Sequence, residues 1–141
     1  MRKLFRDDIE VRENIVTVKP DSTIRHGIIS PVDLQIGRGC VIYYDVISKK
    51  NIVAENITVC GDMLARGDIT LISSANIDGK IVAGGNIRVE GDVEAEELLA
   101  DGDIFIMKNV TAKRVEANGD LIIKGKLRAI NFSAGGRIVK V

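Results

Sequence analysis

Four polar residues occupy the same position in a repeated sequence, and their side chains could bind a cation. Asp68, Asn86, Asp103 and Asp120 each follow a glycine and precede an apolar residue. Carboxylate and amide oxygens are ligands that calcium accepts. The Gly-Gly-x-Gly-x-Asp nonapeptide that binds calcium in β-rolls is absent, so we interpret these side chains as corners of a repeated fold. The sequence predicts no metal site and no bound cofactor.

Few residues in the chain could carry catalysis. His26 is the only histidine, and Cys40 and Cys60 are the only cysteines. A β-helical carbonic anhydrase needs several histidines for its zinc. The β-helical acyltransferases suggested by Ile36-Gly-Arg-Gly39 generally use a histidine base and a six-residue period. Neither thiol has a base at a readable spacing, so we expect a solvated corner histidine and packed or surface thiols. The sequence therefore predicts a protein that is not an enzyme.

The composition is typical of a one-domain protein without a strong electrostatic partner. Its 141 residues are 45% apolar, and 20 Lys and Arg balance 20 Asp and Glu. That balance provides no overall field for nucleic acid. The sequence shows no signal peptide and no apolar run of about 20 residues. We expect a cytoplasmic protein, at most peripheral at the inner face of the cell membrane.

Four similar segments define the repeat, and their first residues are 17 positions apart. The segments begin at Ala83, Ala100, Ala117 and Ala134. A short fixed period means that each repeat buries its apolar face by stacking on its neighbours. Large aromatic side chains, on which globular cores usually depend, make up only 4% of the chain. The repeat therefore predicts a solenoid.

Aligning the repeats places apolar residues in five columns. The columns are Ile87, Ile104, Leu121 and Ile138; Val89, Ile106 and Ile123; Val93, Val110 and Leu127; Ala95, Ala112 and Ala129; and Leu98, Val115 and Phe132. Charged or small residues separate them, which indicates strands with one buried face. The Gly-Asp and Gly-Asn pairs suit corners, because Gly tolerates positive φ and Asp or Asn bonds to nearby amides. We predict an all-β, single-domain, right-handed parallel β-helix with triangular coils of about 17 residues.

The repeat is less regular towards the N-terminus. The spacing from Ala65 to Ala83 is one position longer than the later period, and Ser73-Ser74-Ala75 looks like an insertion. Segments 22–28 and 36–42 suit early coils, whereas residues 1–20 lack the repeat. We therefore predict an N-terminal tail over residues 1–20 and a β-helix domain over residues 21–141.

Two charge features suggest contacts with other molecules. Met1, Leu4 and Phe5 lie among three cations, the composition of a short interfacial membrane anchor with weak affinity. Farther along the chain, seven acidic residues between positions 86 and 103 are followed by eight basic residues between positions 104 and 141. Because sequence position corresponds to height along a solenoid, this gradient could orient contacts between subunits.

The repeat resembles a known family of cytoskeletal proteins. Residues 22–138, and especially Gly85-Asn-Ile-Arg-Val-Glu-Gly-Asp-Val-Glu-Ala-Glu-Glu-Leu-Leu-Ala100, are similar to the polymer-forming bactofilins. The resemblance implies a right-handed triangular β-helix, nucleotide-independent filaments and membrane association through a segment such as residues 1–6. Ala117-Asn-Gly-Asp-Leu-Ile-Ile-Lys-Gly125 also resembles the C-terminal β-helix of MinC-type division inhibitors and the β-helical part of FapA-type proteins.

The last coil is the predicted self-assembly interface. A β-helix ends in unpaired amides and carbonyls that accept another strand unless a cap covers them. The coil retains Phe132, Ile138, Val139 and Val141 and shows no capping helix, although Lys140 stands where an apolar residue is expected. We expect a structural protein whose partner is itself, without a nucleic acid or a small-molecule substrate. The alternatives are a β-helical dimerisation or protein-binding module and, third, an acyltransferase.

Overall fold

Nineteen short strands form the described part of the chain, residues 8–141 of a computed structural model. The strands are β1 (Ile9–Val11), β2 (Ile15–Val18), β3 (Thr23–Ile24), β4 (Ile28–Ser30), β5 (Asp33–Ile36), β6 (Val41–Ile42), β7 (Val46–Ser48), β8 (Ile52–Val59), β9 (Met63–Ala65), β10 (Ile69–Ile77), β11 (Lys80–Ala83), β12 (Ile87–Val89), β13 (Val93–Glu94), β14 (Glu97–Ala100), β15 (Ile104–Ile106), β16 (Asn109–Ala117), β17 (Leu121–Ile123), β18 (Lys126–Ala134) and β19 (Ile138–Lys140). They wind into a β-solenoid of about seven turns, whose coils pair in parallel, and residues 8–141 contain no helix. The predicted all-β parallel solenoid is confirmed, while its right-handed sense stays a prediction.

Each coil presents three faces, which we number in chain order. Face 1 contains β2, β5, β12, β15, β17 and β19, and face 3 contains β4, β7, β9, β11 and β14. Face 2 contains β3, β6 and β13. Four longer strands continue round a corner: β8 and β10 join face 1 to face 2, and β16 and β18 join face 2 to face 3.

The core is built from inward columns that run the length of the solenoid. One column of face 1 takes one residue from each of eight strands: Val16, Leu34, Ile52, Ile69, Ile87, Ile104, Leu121 and Ile138. Its counterpart on face 3 is Ile28, Val46, Met63, Ile81, Leu98, Val115 and Phe132. Four of the predicted columns are confirmed throughout, and the alanine column is confirmed where Ala112 pairs with Ala129. Each fully buried Ile, Leu or Val contributes roughly 1.5–3 kcal/mol, so these columns are the main source of stability.

Coil length depends on the number of residues at each corner. Three residues separate the buried Ile77 and Ile81 at the corner between faces 2 and 3, whereas two separate the buried Ala112 and Val115 in a later coil. The shorter corner makes the later coil one residue shorter. Residues 73–75 carry one residue more than the preceding coil, where the pairing of β10 with β8 shifts, but they match the following coil, so the predicted insertion does not account for the longer spacing.

The solenoid begins earlier than the sequence repeat indicated. β1 pairs antiparallel with β2, and β2 pairs in parallel with β5, from Ile15 with Asp33 to Val18 with Ile36. Residues 15–18 therefore belong to the first coil, and the boundary lies upstream of the predicted residue 20. β1 leaves no repeat in the sequence because it pairs antiparallel, and β2 repeats at an offset of 18 residues from β5 instead of the later 17.

A column of polar side chains ties successive coils together at the corner between faces 3 and 1. Its members are Asp33, Asn51, Asp68, Asn86, Asp103 and Asp120. The Oδ1 atom of each member accepts a hydrogen bond from the backbone N–H of the equivalent residue one coil later, at 2.7–3.2 Å. The predicted corner role of these residues is confirmed, but the amide belongs to the next coil instead of to a sequence neighbour.

The glycine that precedes four of the six column members, and also Arg137, is required by this close contact between coils. An added Cβ would lie only 2.1–2.3 Å from the Oδ1 atom of the preceding coil at Gly67, Gly85, Gly102, Gly119 and Gly136. Gly39 is the one glycine with a positive φ, 82°. The expectation that the Gly-Asp and Gly-Asn corners use positive φ is therefore wrong: their glycines leave room for a hydrogen-bonding oxygen.

We predict that Gly119→Ala destabilises the protein by more than about 1 kcal/mol. The new Cβ would meet Asp103 Oδ1, which lies 2.1 Å from its ideal position. Asp103→Ala removes that oxygen, so the double variant should lose less stability than the two single variants add up to. Urea unfolding followed by circular dichroism measures the three free energies.

Asn118→Ala, at the adjacent exposed corner position, is the matched control and should cost less than about 0.5 kcal/mol. Strictly additive losses for Gly119→Ala and Asp103→Ala would contradict the contact.

Candidate assembly interface

The last coil, formed by β18 and β19, leaves core positions open to solvent. Phe132 and Ile138 are each 49% exposed, whereas Val115 and Leu121, which precede them in the same columns, are 0% exposed. Their side chains continue the inward columns, but within residues 8–141 no further coil covers them. This end of the solenoid therefore presents core residues as surface.

A cavity of about 360 Å³ opens at this end. Its walls include Ile123, Leu127, Phe132 and Lys140. Lys140 follows Ile123 in an inward column, at the position predicted from the repeat, and its Nζ donates a hydrogen bond to the backbone carbonyl of Gly125. The Lys140 side chain covers part of the open coil. The apolar wall of the cavity remains accessible to another molecule.

The inward apolar side chains at the opposite end of the solenoid are buried. β1 lies along β2 and covers the edge of face 1. The inward residues of the first coil, Val16, Val18, Ile24 and Ile28, are all buried. In the part of the chain that the structure describes, half-exposed core side chains therefore occur at the β18–β19 end.

The structure separates the four residues predicted for self-assembly into two groups. Phe132 and Ile138 lie in inward columns of the open coil. Val139 lies on the outside of face 1, in the same outward column as Ile122, and Val141 is exposed just beyond β19. The predicted membrane-contacting residues, Met1, Leu4 and Phe5, lie outside the described residues.

The last coil is basic. Residues 121–141 contain five cations and no acidic side chain. Farther up the solenoid the acidic and basic coils neutralise each other, because Lys113 Nζ lies 2.7 Å from Glu96 Oε1 and Arg114 Nη1 lies 3.6 Å from Glu97 Oε1. Of the five cations in residues 121–141, only Arg137 forms an ion pair within residues 8–141, with Asp120.

Asp120 attaches the last coil to the one before it. Its Oδ1 accepts a hydrogen bond of 2.8 Å from the backbone N–H of Arg137, and its Oδ2 lies 3.4 Å from the guanidinium of the same residue. The backbone hydrogen bond holds the pKa of Asp120 below its usual range. The resulting stabilisation is present above the usual pKa and is lost as the pH falls through the lowered one, so acid loosens the last coil.

The side chains that most often perform catalysis lie apart from this surface. His26 is exposed at the corner between faces 2 and 3, as predicted. Cys60 is exposed, whereas Cys40 is buried and its Sγ donates a hydrogen bond to the backbone carbonyl of Lys19 at 3.1 Å. Among the described residues, no group of three or more His, Cys, Asp and Glu side chains could hold a metal ion.

The sequence reasoning missed the outward side chains of face 3. Each of five successive strands carries one apolar outward residue between two inward ones: Ile29, Ile47, Leu64, Val82 and Leu99. Apolar triplets such as Met63-Leu-Ala65 were a signal, because they replace the usual alternation of apolar and polar residues.

Comparison with family models, curated proteins and solved structures finds no match for this chain. Over residues 8–141, no helix is long and apolar enough to cross a membrane. The fold rests on the strand registers described above.

We predict that the two thiols differ strongly in reactivity. Burial raises the pKa of the Cys40 thiol, so less of the reactive thiolate is present at neutral pH. Iodoacetamide should modify Cys60 in the folded protein and Cys40 only after unfolding in urea, as measured by peptide mass spectrometry. Equal modification rates in the folded state would show that the coil around Cys40 is not closed.

Proposed function

We propose that this chain is a structural protein that assembles into nucleotide-independent filaments by end-to-end stacking of β-solenoids, as its resemblance to the bactofilins implies. The observation that supports the proposal is the open last coil, where Phe132 and Ile138 continue core columns but are half exposed. Stacking one coil on another is the interaction that the chain already uses along its whole length. Such an assembly needs no cofactor and no catalytic residue.

A second copy of the chain suits this surface because it offers a coil of the same shape. Covering the exposed halves of Phe132 and Ile138 would contribute about 1 kcal/mol each. Each backbone hydrogen bond formed along the open edge would add roughly 0.5–1.5 kcal/mol. Several such contacts together offset the entropy lost on association.

Burial and charge favour different pairs of ends. The inward apolar side chains of the first coil are buried, so two last coils offer the larger apolar contact and would form an isologous pair. That pair brings five cations of one copy against five of the other. Residues 8–33 instead carry five carboxylates and three cations, so a last coil docked on a first coil would bring opposite net charges together. Growth beyond a pair would use the first coil, where β3 and β4 each pair on one side only among residues 8–141.

We predict that Phe132→Glu and Ile138→Glu abolish assembly, because each places a carboxylate in the apolar contact. Negative-stain microscopy and sedimentation velocity of purified protein measure the assembly, and circular dichroism checks that the solenoid stays folded. Ile122→Glu is the matched control: it introduces the same charge on the outside of the preceding coil and should leave filaments unchanged. Discrete dimers in place of wild-type filaments would favour the protein-binding module that the MinC-type resemblance suggests.

The ionic strength dependence of wild-type assembly identifies the ends without any substitution. Contact between two basic last coils should strengthen as salt rises, because screening weakens the repulsion between like charges. Contact between a last coil and a first coil should weaken under the same change. Filaments that respond to salt in neither direction would contradict both arrangements.

We further propose that the protein is cytoplasmic and contacts the inner face of the cell membrane through Met1, Leu4 and Phe5. One short segment binds weakly, but a filament presents many copies of it. Deleting residues 1–6 should reduce sedimentation of assembled protein with anionic liposomes by at least about tenfold. Unchanged sedimentation after the deletion would remove the membrane from the proposal.

A further inference from the structure

Face 3 carries an apolar column on its outer surface over five successive coils, and the column ends in the polar Glu116 and Ser133. Its apolar members, which we call the face-3 stripe, are Ile29, Ile47, Leu64, Val82 and Leu99. Ile29 is 72% exposed, and the other four are partly exposed. At about 4.8 Å per coil, the stripe extends over roughly 19 Å.

The other two faces have no comparable column. The outward residues of face 2 are mostly polar: Thr23, Val41, Thr58, Asn76, Glu94, Thr111 and Arg128. Those of face 1 are mixed: Thr17, Gln35, Val53, Thr70, Arg88, Phe105, Ile122 and Val139. The coil can therefore fold with polar or mixed outward residues, and the apolar stripe on face 3 is not needed for folding.

Charged residues flank the stripe asymmetrically. In two successive coils an acidic residue precedes the strand and a basic residue follows it: Asp45 and Lys49 beside Ile47, and Asp62 and Arg66 beside Leu64. Within residues 8–141, none of these four charged side chains forms an ion pair. Over these two coils, acidic charges lie on one edge of the stripe and basic charges lie on the other.

The carboxylates on this edge are held in place by the fold. Asp45 Oδ1 accepts a hydrogen bond of 2.8 Å from the backbone N–H of Asp62, and Asp62 Oδ1 accepts one of 2.8 Å from the backbone N–H of Lys80. One oxygen of each carboxylate is used in this way, and the other remains available. The acidic edge is therefore ordered before any partner arrives.

We infer that face 3 is a lateral interface between two copies of this chain, packed face to face around a two-fold axis parallel to the solenoids. That axis exchanges left and right but keeps height, so the acidic edge of one copy faces the basic edge of the other. Asp45 then meets Lys49 of the second copy, and Asp62 meets its Arg66. The two stripes pack against each other along the centre.

An antiparallel arrangement centred between the Ile47 and Leu64 coils lacks this complementarity. A two-fold axis across the solenoids places the acidic edge of one copy against the acidic edge of the other. Two coils depart from the pattern: Lys80 lies on the acidic edge beside Val82, and Glu97 and Asp101 are both acidic on either side of Leu99. Arg114 lies 3.6 Å from Glu97 and offsets part of that repulsion.

The interface is separate from the open last coil, so the two contacts are independent. A stripe of five residues gives a weak contact between two single chains. The same contact repeated along two end-stacked filaments becomes strong, because each subunit raises the effective concentration of the next. Lateral pairing would therefore make double filaments from single ones.

The first test uses sedimentation velocity in an Ile138→Glu background, in which end stacking is disfavoured. We expect a concentration-dependent dimer, weakened at least tenfold by Leu64→Glu. Thr58→Glu is the matched control, because Thr58 is an outward, partly exposed residue of face 2 in the same coil. A monomer at all concentrations, or equal effects of the two substitutions, would overturn the inference. End contacts are already disfavoured in this background, so the dimer measurement tests the face-3 interface even if the wild-type protein forms no filaments.

The second test reports orientation. Arg66→Asp should weaken the dimer, because it places a carboxylate opposite Asp62 of the second copy. Adding Asp62→Lys should restore the dimer by re-forming the pair with its signs exchanged, and circular dichroism checks the corner that Asp62 supports. Failure of the double variant to recover, with its fold intact, would overturn the parallel arrangement.

Discussion

The stacking of each coil on its predecessor is the constraint on which the rest of this structure depends. A single coil encloses too little apolar surface to be stable alone, so its inward side chains are buried only between two neighbours. The corner column fixes the register of that stacking, because the Oδ1 atom of one coil occupies the place of a Cβ in the next. Extra residues are accommodated at corners, as at Ser73, and the inward columns continue past them.

The same constraint leaves two surfaces of the solenoid with apolar side chains that no neighbouring coil covers. Interior coils satisfy their apolar residues within the chain, and the inward apolar side chains of the first coil are also buried. The last coil keeps the side chains of a core without a second neighbour. Face 3 carries an apolar outward residue in each of five coils, although the stability of a coil does not require one. One surface lies at the end of the rod and the other along its side, so assembly in two directions is compatible with one chain.

Much of this architecture could be predicted from the sequence, because the repeat is strict from Ile87 onwards. The columns, the open coil and the corner role of the Gly-Asp pairs all follow from a fixed period. The reason for the glycines could not be predicted, since a positive φ and a close approach select the same residue. β1 could not be predicted because antiparallel pairing has no period, and β2 because its offset from β5 is 18 residues and not 17. The face-3 stripe was missed because alternation assigns outward positions to polar residues. Leu64 and Val82 depart from that rule without disturbing the fold.

Hydrogen exchange measured over a range of protein concentrations tests the central claim, that the last coil is an assembly surface. The account predicts that backbone amides in residues 126–141 become more protected as concentration rises. Amides of β8, in an interior coil, should keep the same protection throughout. If light scattering shows that particles grow while protection of residues 126–141 stays constant, the assembly contact lies elsewhere and the account is contradicted.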